Sequence, residues 1–250
     1  MSELNAQKTA DRADTIWQRS SVTVDYHASR SGIPFADAHF EIMHRLLNAA
    51  GLPVRTLLDL GAGDGIVTEV VARRQALERS VLVDFSEPML DAARQRFDGQ
   101  PQTFDVSYVA GDFRETDWHG DVAQPGPFDA VVSRFAIHHI PDDLKRNLYQ
   151  AIFGWLRPGG MFVNIEHVAS ASPLYADAHD QMMIDGIMAS RETGDAESVA
   201  TAYRNRQDSG ANILAPVQDQ VEWLWNIGFV DVDIAFKAFE LSVFAGRRPA

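Results

Sequence analysis

The chain of 250 residues contains no cysteine, no long apolar run and no excess of basic residues. Without cysteine it can form neither disulfides nor thiolate metal sites. No apolar run is long enough to cross a bilayer, which argues against a membrane-spanning segment. Lysine and arginine number 22 against 35 aspartate and glutamate residues, so the formal net charge is −13. This charge opposes long non-specific contacts with nucleic acid, which need a basic surface.

The first residues also lack the basic and then apolar pattern of a secretory signal. We therefore expect a cytoplasmic protein that works without nucleic acid or membrane, as a monomer or a homodimer. A hydrophobic content of 46% supports a sizeable core. The length fits one large domain, alone or with an insertion.

Residues 57–65 read Leu-Leu-Asp-Leu-Gly-Ala-Gly-Asp-Gly, and the rest of the chain is organised around them. The apolar run Thr56–Leu60 predicts a buried parallel strand, and a helical pattern begins after Gly65. Glycines at alternate positions permit a sharp turn and leave room for a ligand against the main chain. Strand, glycine turn and helix are typical of a nucleotide-binding βαβ unit, although Gly-x-Gly-x-Gly is not the spacing of dinucleotide enzymes.

Two further strands end in acidic residues. The strand 81–84 ends in Asp84, close to the offset of roughly 20 residues expected for a carboxylate that binds a ribose. The strand 106–110 is followed by Gly111-Asp112-Phe113. Ser86 and Pro88 then mark a helix start between these two strands.

These motifs, with Phe128–Ser133 and the turn Leu156–Gly160, resemble those of class I S-adenosylmethionine-dependent methyltransferases. The resemblance runs from about Thr56 to Glu166 and resumes near the end of the chain. It implies an α/β fold with a doubly wound, seven-stranded, mostly parallel Rossmann-like sheet. It also implies S-adenosylmethionine as the cofactor. The cofactor supplies the reactive methyl group, and the protein positions the reactants and provides the electrostatic environment.

The resemblance assigns roles to the residues at these motifs. Asp84 would bind the ribose hydroxyls, Asp112 the adenine amino group, and Asp59 the amino end of the methionine portion. Asp59 lies inside an apolar strand and needs a partner there, since an unpaired buried acid is costly. The complete set of expected cofactor-binding residues is Asp59, Gly61, Ala62, Gly63, Asp84, Phe85, Asp112, Phe113, Arg134, Tyr26 and Arg30.

Strand and helix patterns alternate through the core, which predicts a parallel sheet with helices on both faces. We expect an N-terminal helical cap over 1–50, a cofactor-binding core over 51–168, and the last helix and two strands over 217–250. Between them, 169–216 reads as a helical insertion, with helices at about 175–187 and 196–206. A structureless loop of that length would be unusual, so we expect a lid over the carboxyl ends of the strands.

Four titratable residues follow the fourth and fifth strands, where this fold places its reaction centre. His138 and His139 could act as a general base because imidazole titrates near neutral pH, and Glu166 and His167 are comparable candidates. Catalysis by positioning alone is an alternative. No compact ligand spacing links the four, so no metal site is expected.

The acceptor is expected to be a small, partly apolar metabolite, methylated on oxygen, nitrogen or carbon. Phe135, Tyr203 and Arg204 are the residues expected to contact it, although Tyr203 and Arg204 would also fit an exposed helix face. One rival is an enzyme of transfer RNA modification, including one that makes a carboxylated cofactor. Another is a non-catalytic protein that binds the cofactor and acts as a partner.

Overall fold

In the computed structural model, residues 12–20, 22, 32–51, 53–98, 103–190 and 195–250 are described. They form one seven-stranded sheet with helices on both faces. The strands are β1 Thr56–Leu60, β2 Arg79–Asp84, β3 Asp105–Ala110, β4 Phe128–Arg134, β5 Leu156–His167, β6 Val230–Ala238 and β7 Leu241–Arg247. The helices are α1 Ala36–Ala49, α2 Ile66–Ala72, α3 Glu87–Asp98, α4 His119–Ala123, α5 Asp142–Trp155, α6 Pro173–Ser190, α7 Ala196–Arg204 and α8 Val217–Ile227. Short 3₁₀ segments cover Ala13–Gln18, Ile137–His139 and Gln207–Ala211.

The strand order is β3-β2-β1-β4-β5-β7-β6. The first five strands pair in parallel, and β7 runs antiparallel to both β5 and β6. The chain moves outward from β1 to β3 on one side and then returns to β4 on the other. This reversal leaves a crevice at the carboxyl ends of β1 and β4, the place where open α/β sheets bind ligands. The predicted doubly wound, seven-stranded sheet is confirmed.

The central strands are buried on both faces, which explains why they read as continuous apolar runs rather than alternating ones. All seven residues of β4 are buried, as are four of the five in β1. One face packs against α5 and α8 through side chains such as Tyr149 and Leu224. The other packs against α1 and α2 through Met43, Leu47 and Val67.

Some element boundaries differ from the predicted ones. From its polar sequence the stretch 112–127 is predicted to be a loop, but it contains the short helix α4, because the apolar side chains of Trp118 and Val122 are buried in the core. Strand β5 begins at Leu156, and its pairing with β4 is irregular between Phe128 and Ala130. Helices α6 and α7 lie in the insertion, where Ile184, Val199 and Tyr203 form a small separate cluster. Among the described helices, none is long and apolar enough to span a membrane.

The carboxyl group of Asp59 lies fully buried inside β1. Its Oδ2 accepts hydrogen bonds from Thr68 N at 3.1 Å and Thr68 Oγ1 at 2.8 Å, which ties β1 to α2. Its Oδ1 has no hydrogen-bond partner in the described part of the chain. Burial therefore raises the pKa of Asp59 to about 7, in spite of the Thr68 bonds that favour the charged form.

This raised pKa predicts a specific pH dependence of stability. A carboxyl whose pKa is higher in the folded than in the unfolded state stabilises the fold at low pH, and the contribution is lost as the pH rises. Between about pH 4 and pH 7, Asp59 should cost about 1.4 kcal/mol per pH unit in the free energy of unfolding. Asp59→Asn should flatten that part of the profile, measured by urea unfolding across this range. The exposed Asp121→Asn serves as the control, and a profile that is identical in wild type and Asp59→Asn would contradict the assignment.

Candidate active site

A cleft of about 660 Å³, counting the part open to solvent, lies at the carboxyl edge of the sheet. Its walls come from the loops after β1 to β4 and from the 3₁₀ segment near the N-terminus. The lining residues are Asp14, Trp17, Gly61, Gly63, Asp84, Phe85, Met89, Gly111, Asp112, Phe113, Arg134, Phe135, Ala136, His139 and Ile140. The cleft thus brings together predicted residues from four separate motifs.

The glycine turn after β1 is held against β2 by main-chain hydrogen bonds. Gly61 N and Ala62 N both donate to Val83 O, at 2.8 and 3.0 Å. Gly61 has φ +65°, and a Cβ added there would lie 2.1 Å from the Cβ of Ala136. The position therefore requires glycine for both its backbone conformation and its close approach to the loop after β4.

Asp84 is buried at the end of β2 and lines the cleft. Its Oδ2 accepts a hydrogen bond from Gly63 N at 2.8 Å, and its Oδ1 accepts one from Ser86 N at 2.9 Å. Burial raises the pKa of Asp84 to about 6, although these backbone bonds favour the charged form. Each carboxylate oxygen has two lone pairs, so both oxygens can accept a further bond from a ligand hydroxyl.

Asp112 and Phe113 line the cleft beyond β3, but Asp112 already has a cationic partner. Arg12 Nη1 lies 2.5 Å from Asp112 Oδ2, and Arg12 also pairs with Asp14 at 2.8 Å. Arg114 N donates to Asp112 Oδ1 at 3.0 Å, and the Arg114 side chain pairs with Asp14 at 3.3 Å. This ion-pair network holds the N-terminal 3₁₀ segment over the cleft.

The predicted N-terminal cap over 1–50 includes this segment, but sequence reasoning named no residue of 1–20 as a contact to the cleft. In the structure Trp17 lines the cleft and its ring lies 5.7 Å from that of His139. The cofactor-binding candidates Tyr26 and Arg30 lie outside the described residues.

Arg134 and Phe135 form the wall after β4. Arg134 is buried, and its guanidinium lies 4.8 Å from the ring centre of Phe135 and 5.2 Å from that of Phe40. Its Nε has no hydrogen-bond partner in the described ranges. Phe135 adopts φ +52°, a strained value for a side chain of this size. The wall thus presents a buried cation to the cleft, which suits an anionic ligand group.

His138 and Glu166 form a buried pair behind the cleft. His138 Nδ1 lies 2.5 Å from Glu166 Oε1, and His167 N donates to the same oxygen at 2.9 Å. Burial raises the pKa of Glu166 to about 7 and lowers that of His138. His138 lies 4.0 Å, ring centre to ring centre, from His139, which lines the cleft. Of the four catalytic candidates, His138 therefore contacts two others through its side chain, Glu166 and His139.

His139 itself is poorly suited to accept a proton at neutral pH. Burial, together with the neighbouring His138, lowers the pKa of His139 to about 3. Its Nδ1 lies 3.1 Å from Ala211 O, an acceptor, so Nδ1 carries the proton and Nε2 the lone pair. Its position favours contact with a ligand in the cleft.

The fourth candidate, His167, points into a different cluster. Its Nε2 lies 2.7 Å from Glu240 Oε2 in the β6–β7 turn. His179 of α6 approaches the same oxygen at 3.7 Å. Hydrogen bonds from His167 and Ser170 hold the pKa of Glu240 below its usual range, although burial acts in the opposite direction. This cluster joins the insertion to the sheet.

Several predicted residues do not reach the cleft wall. Asp59 lies in β1 beneath the glycine turn and is bonded to Thr68, and Ala62 of the turn packs against Ala93 and Phe97 of α3. Tyr203 is buried inside the insertion cluster, so it is not part of an exposed helix face. Arg204 is exposed and stays apart from the cleft lining. Their roles toward cofactor or acceptor remain predictions.

Comparison with known proteins agrees with this architecture. A family model described as a methyltransferase domain matches residues 57–160. An uncharacterized methyltransferase of Mycobacterium tuberculosis is 31% identical over 134 residues, 53% of this chain and 60% of the relative. The carboxy-S-adenosyl-L-methionine synthase of Pasteurella multocida is 27% identical over 190 residues, 72% of this chain and 71% of that protein.

Human N-acetylserotonin methyltransferase, crystallised with S-adenosylmethionine, is similar in structure with a TM-score of 0.59 and 15% identity. The match covers 96% of this chain and 60% of the human chain. At that identity the likeness shows the fold alone. The present chain spans about three fifths of the length of the mycobacterial relative that it matches.

The close approach at Gly61 predicts a large effect of a single added methyl group. Gly61→Ala should lower the free energy of unfolding by about 2–4 kcal/mol, through an unfavourable φ and the clash with Ala136. The matched control is Gly120→Ala in α4, where a Cβ meets nothing within 4 Å, and there stability should hold or rise slightly. Chemical denaturation of both variants measures the difference. Equal stabilities would show that the turn does not need glycine.

Proposed function

Because the chain belongs to the class I S-adenosylmethionine-dependent methyltransferases, as its motifs predicted, we propose that it methylates an oxygen, nitrogen or carbon atom of a small, partly apolar metabolite. The observation that carries this proposal is the cleft at the carboxyl edge of the sheet, in which Asp84, Asp112 and Arg134 converge. S-adenosylmethionine, the cofactor of this family, agrees with that arrangement. The strongly acidic chain argues against a nucleic-acid acceptor, and a cytoplasmic location remains our expectation.

The residues of the cleft fit the parts of this cofactor. The free lone pairs of Asp84 suit the two ribose hydroxyls, and Asp112 and Phe113 suit the amino group and face of the adenine. Binding of the adenine amino group by Asp112 would use the oxygens that now hold Arg12 and Arg114. Arg134 suits the methionine carboxylate, since a guanidinium binds carboxylates well.

When bound, S-adenosylmethionine supplies an electrophilic methyl carbon on a positively charged sulfur. The chain must hold the acceptor atom in line with that carbon, and such positioning alone can lower a barrier by about 7–11 kcal/mol. An oxygen or nitrogen acceptor also has to lose a proton. Trp17, Phe113 and Phe135 give this part of the cleft an apolar wall, which would limit the access of water to the reacting atoms.

We assign the proton-accepting role to His138 and Glu166 together. With Nδ1 bonded to the carboxylate, the Nε2 of His138 is left with the lone pair, as in other carboxylate–histidine pairs that act as bases. Glu166 fixes the ring and stabilises the imidazolium that forms. His139 contacts the bound ligand, and it is the weaker candidate because its Nδ1 is bonded to the main-chain carbonyl of Ala211 rather than to a carboxylate.

The proposal is tested by the ligand and the product. Native mass spectrometry of the purified protein should detect S-adenosylmethionine or its demethylated product. Incubation of metabolite extracts with methyl-labelled cofactor should then transfer the label to a compound of low molecular mass. A protein that binds the cofactor but transfers no label to any extract would instead be a non-catalytic binding partner.

A second candidate function is the synthesis of a carboxylated cofactor. It is favoured by the match to the Pasteurella synthase over nearly three quarters of this chain and by the buried cation of Arg134. Such a cofactor would carry one additional carboxylate, and a guanidinium in the cleft could bind it. If the co-purified ligand is heavier than S-adenosylmethionine by one carboxyl group, this function replaces the first.

The ribose assignment predicts how cofactor affinity depends on Asp84. Asp84→Asn should weaken binding by roughly 1.5–3 kcal/mol, the range for hydrogen bonds to a charged group. Wild-type affinity should fall as the pH drops through about 6, because protonation of Asp84 removes an acceptor. Calorimetry at pH 5.5 and 7.5 measures both effects. Unchanged affinity in the variant would refute the assignment.

The proton assignment predicts a loss of turnover without a loss of binding. His138→Ala should lower kcat by about 10²–10⁴-fold and leave the cofactor dissociation constant nearly unchanged. Glu166→Gln should act in the same direction because it removes the charge that holds the ring. The control is His119→Ala, since His119 packs between Trp118 and Trp155 on the far side of the sheet from α1. Full activity in both His138→Ala and Glu166→Gln would move the role to His139 or His167, or to positioning alone.

A further inference from the structure

Three side chains that lie far apart in the sequence meet at the carboxyl edge of the sheet, next to the cofactor cleft. His167 ends β5, His179 lies in α6 of the insertion, and Glu240 lies in the turn between β6 and β7. Each offers one ligand atom, and these atoms all lie within 4.8 Å of one another. Such a group of two imidazoles and one carboxylate is a common donor set for metal ions.

The side chains of this cluster are largely buried and are held in place by further contacts. His179 is 2% exposed and Glu240 8% exposed. Glu240 Oε2 lies between the two rings, and the hydroxyl of Ser170 donates to the other carboxylate oxygen, Oε1. That outer bond orients the carboxylate, as second partners of metal ligands do.

The present contacts leave His179 poorly satisfied. Its Nε2 lies 3.7 Å from Glu240 Oε2, which is longer than a hydrogen bond. Its Nδ1 has no hydrogen-bond partner among the described residues. A buried polar ring without a partner is costly, and coordination of an ion by one ring nitrogen would offset part of that cost.

We propose that His167, His179 and Glu240 bind a divalent first-row transition-metal ion, with Zn²⁺ as the expected occupant, and so fasten the inserted helix α6 to the sheet. Two imidazoles and one carboxylate suit Zn²⁺, and a fourth position stays open for water or another ligand. None of the three residues belongs to the cofactor cleft lining described above. The inference is therefore independent of which acceptor the enzyme uses.

The two nitrogen–oxygen distances fit this ion after small side-chain movements. Ligand atoms about 2.0–2.1 Å from a tetrahedral ion lie about 3.3 Å from one another. The two nitrogen–oxygen distances in the cluster are 2.7 and 3.7 Å, so each changes by about half an ångström.

Neighbouring cations have partners of their own. The guanidinium of Arg206 lies over the ring of Tyr203, 4.0 Å from its centre, and the ammonium of Lys237 donates to Phe239 O. The groups nearest to the proposed ion are therefore the imidazole and carboxylate atoms of the cluster.

The experiment is direct metal binding to the full chain, stripped with a chelator. Addition of Co²⁺ should produce visible absorption typical of a four-coordinate site without sulfur, and Zn²⁺ should abolish it. Calorimetry with Zn²⁺ should give one site per chain. His179→Gln and Glu240→Gln should each weaken Zn²⁺ binding by at least ~10–100-fold, since even loss of an outer partner costs that much. Ser170→Ala tests that outer partner and should weaken binding by about 10–100-fold.

The matched control is His119→Gln, which removes a histidine outside the cluster and should leave Zn²⁺ affinity unchanged. Thermal unfolding adds a readout for the fastening of α6, because Zn²⁺ should raise the melting temperature of wild type but not of Glu240→Gln. Both cluster variants should fold in the absence of metal, as checked by circular dichroism. If wild type and the cluster variants bind Zn²⁺ equally, or if wild type binds none, the cluster is a hydrogen-bonded contact only and the proposal is wrong.

Discussion

The carboxylate of Asp84 holds together the loops that form the cleft at the carboxyl edge of the sheet. It accepts one hydrogen bond from the glycine turn after β1 and one from the start of the helix after β2. These two loops are close to each other because β1 and β2 are adjacent strands. The hydrogen bonds to Asp84 hold the loops in one arrangement. The same carboxylate keeps unused lone pairs toward the cleft, so the group that organises the loops can also bind a ligand.

Burial controls the chemistry of the titratable groups at this edge of the sheet. It raises the pKa of Asp59 to about 7, of Asp84 to about 6 and of Glu166 to about 7. Carboxyl groups with such values can exchange protons near neutral pH, which enzymes use for acid–base steps. Burial of these carboxyl groups lowers the stability of the fold, and hydrogen bonds such as those from Thr68 to Asp59 offset part of that loss.

The loops and insertions around the sheet divide the edge into two regions. The first is the cleft, covered by Trp17 and held by the ion pairs of Arg12 and Asp14 with Asp112 and Arg114. The second is the histidine cluster, in which the insertion contacts β5 and the β6–β7 turn through His179. His138 lies between them, 4.0 Å from His139 and 5.4 Å from His167 by ring centres. The proposed base therefore has a histidine neighbour in each region.

The sequence by itself determined the sheet, the family and the residues at the strand ends, because glycine spacing and apolar runs act locally and are written in consecutive residues. Asp84, Asp112, Phe113 and Arg134 were predicted in this way, and all four line the cleft. Only the tertiary structure decided that Trp17 covers the cleft and that Tyr203 is buried. It also showed that Glu166 pairs with His138 while His167 turns toward Glu240. Those contacts join residues separated by 28 and 73 positions. No periodicity or spacing along the chain encodes such pairs, since they depend on how the strands, the insertion and the last hairpin pack together.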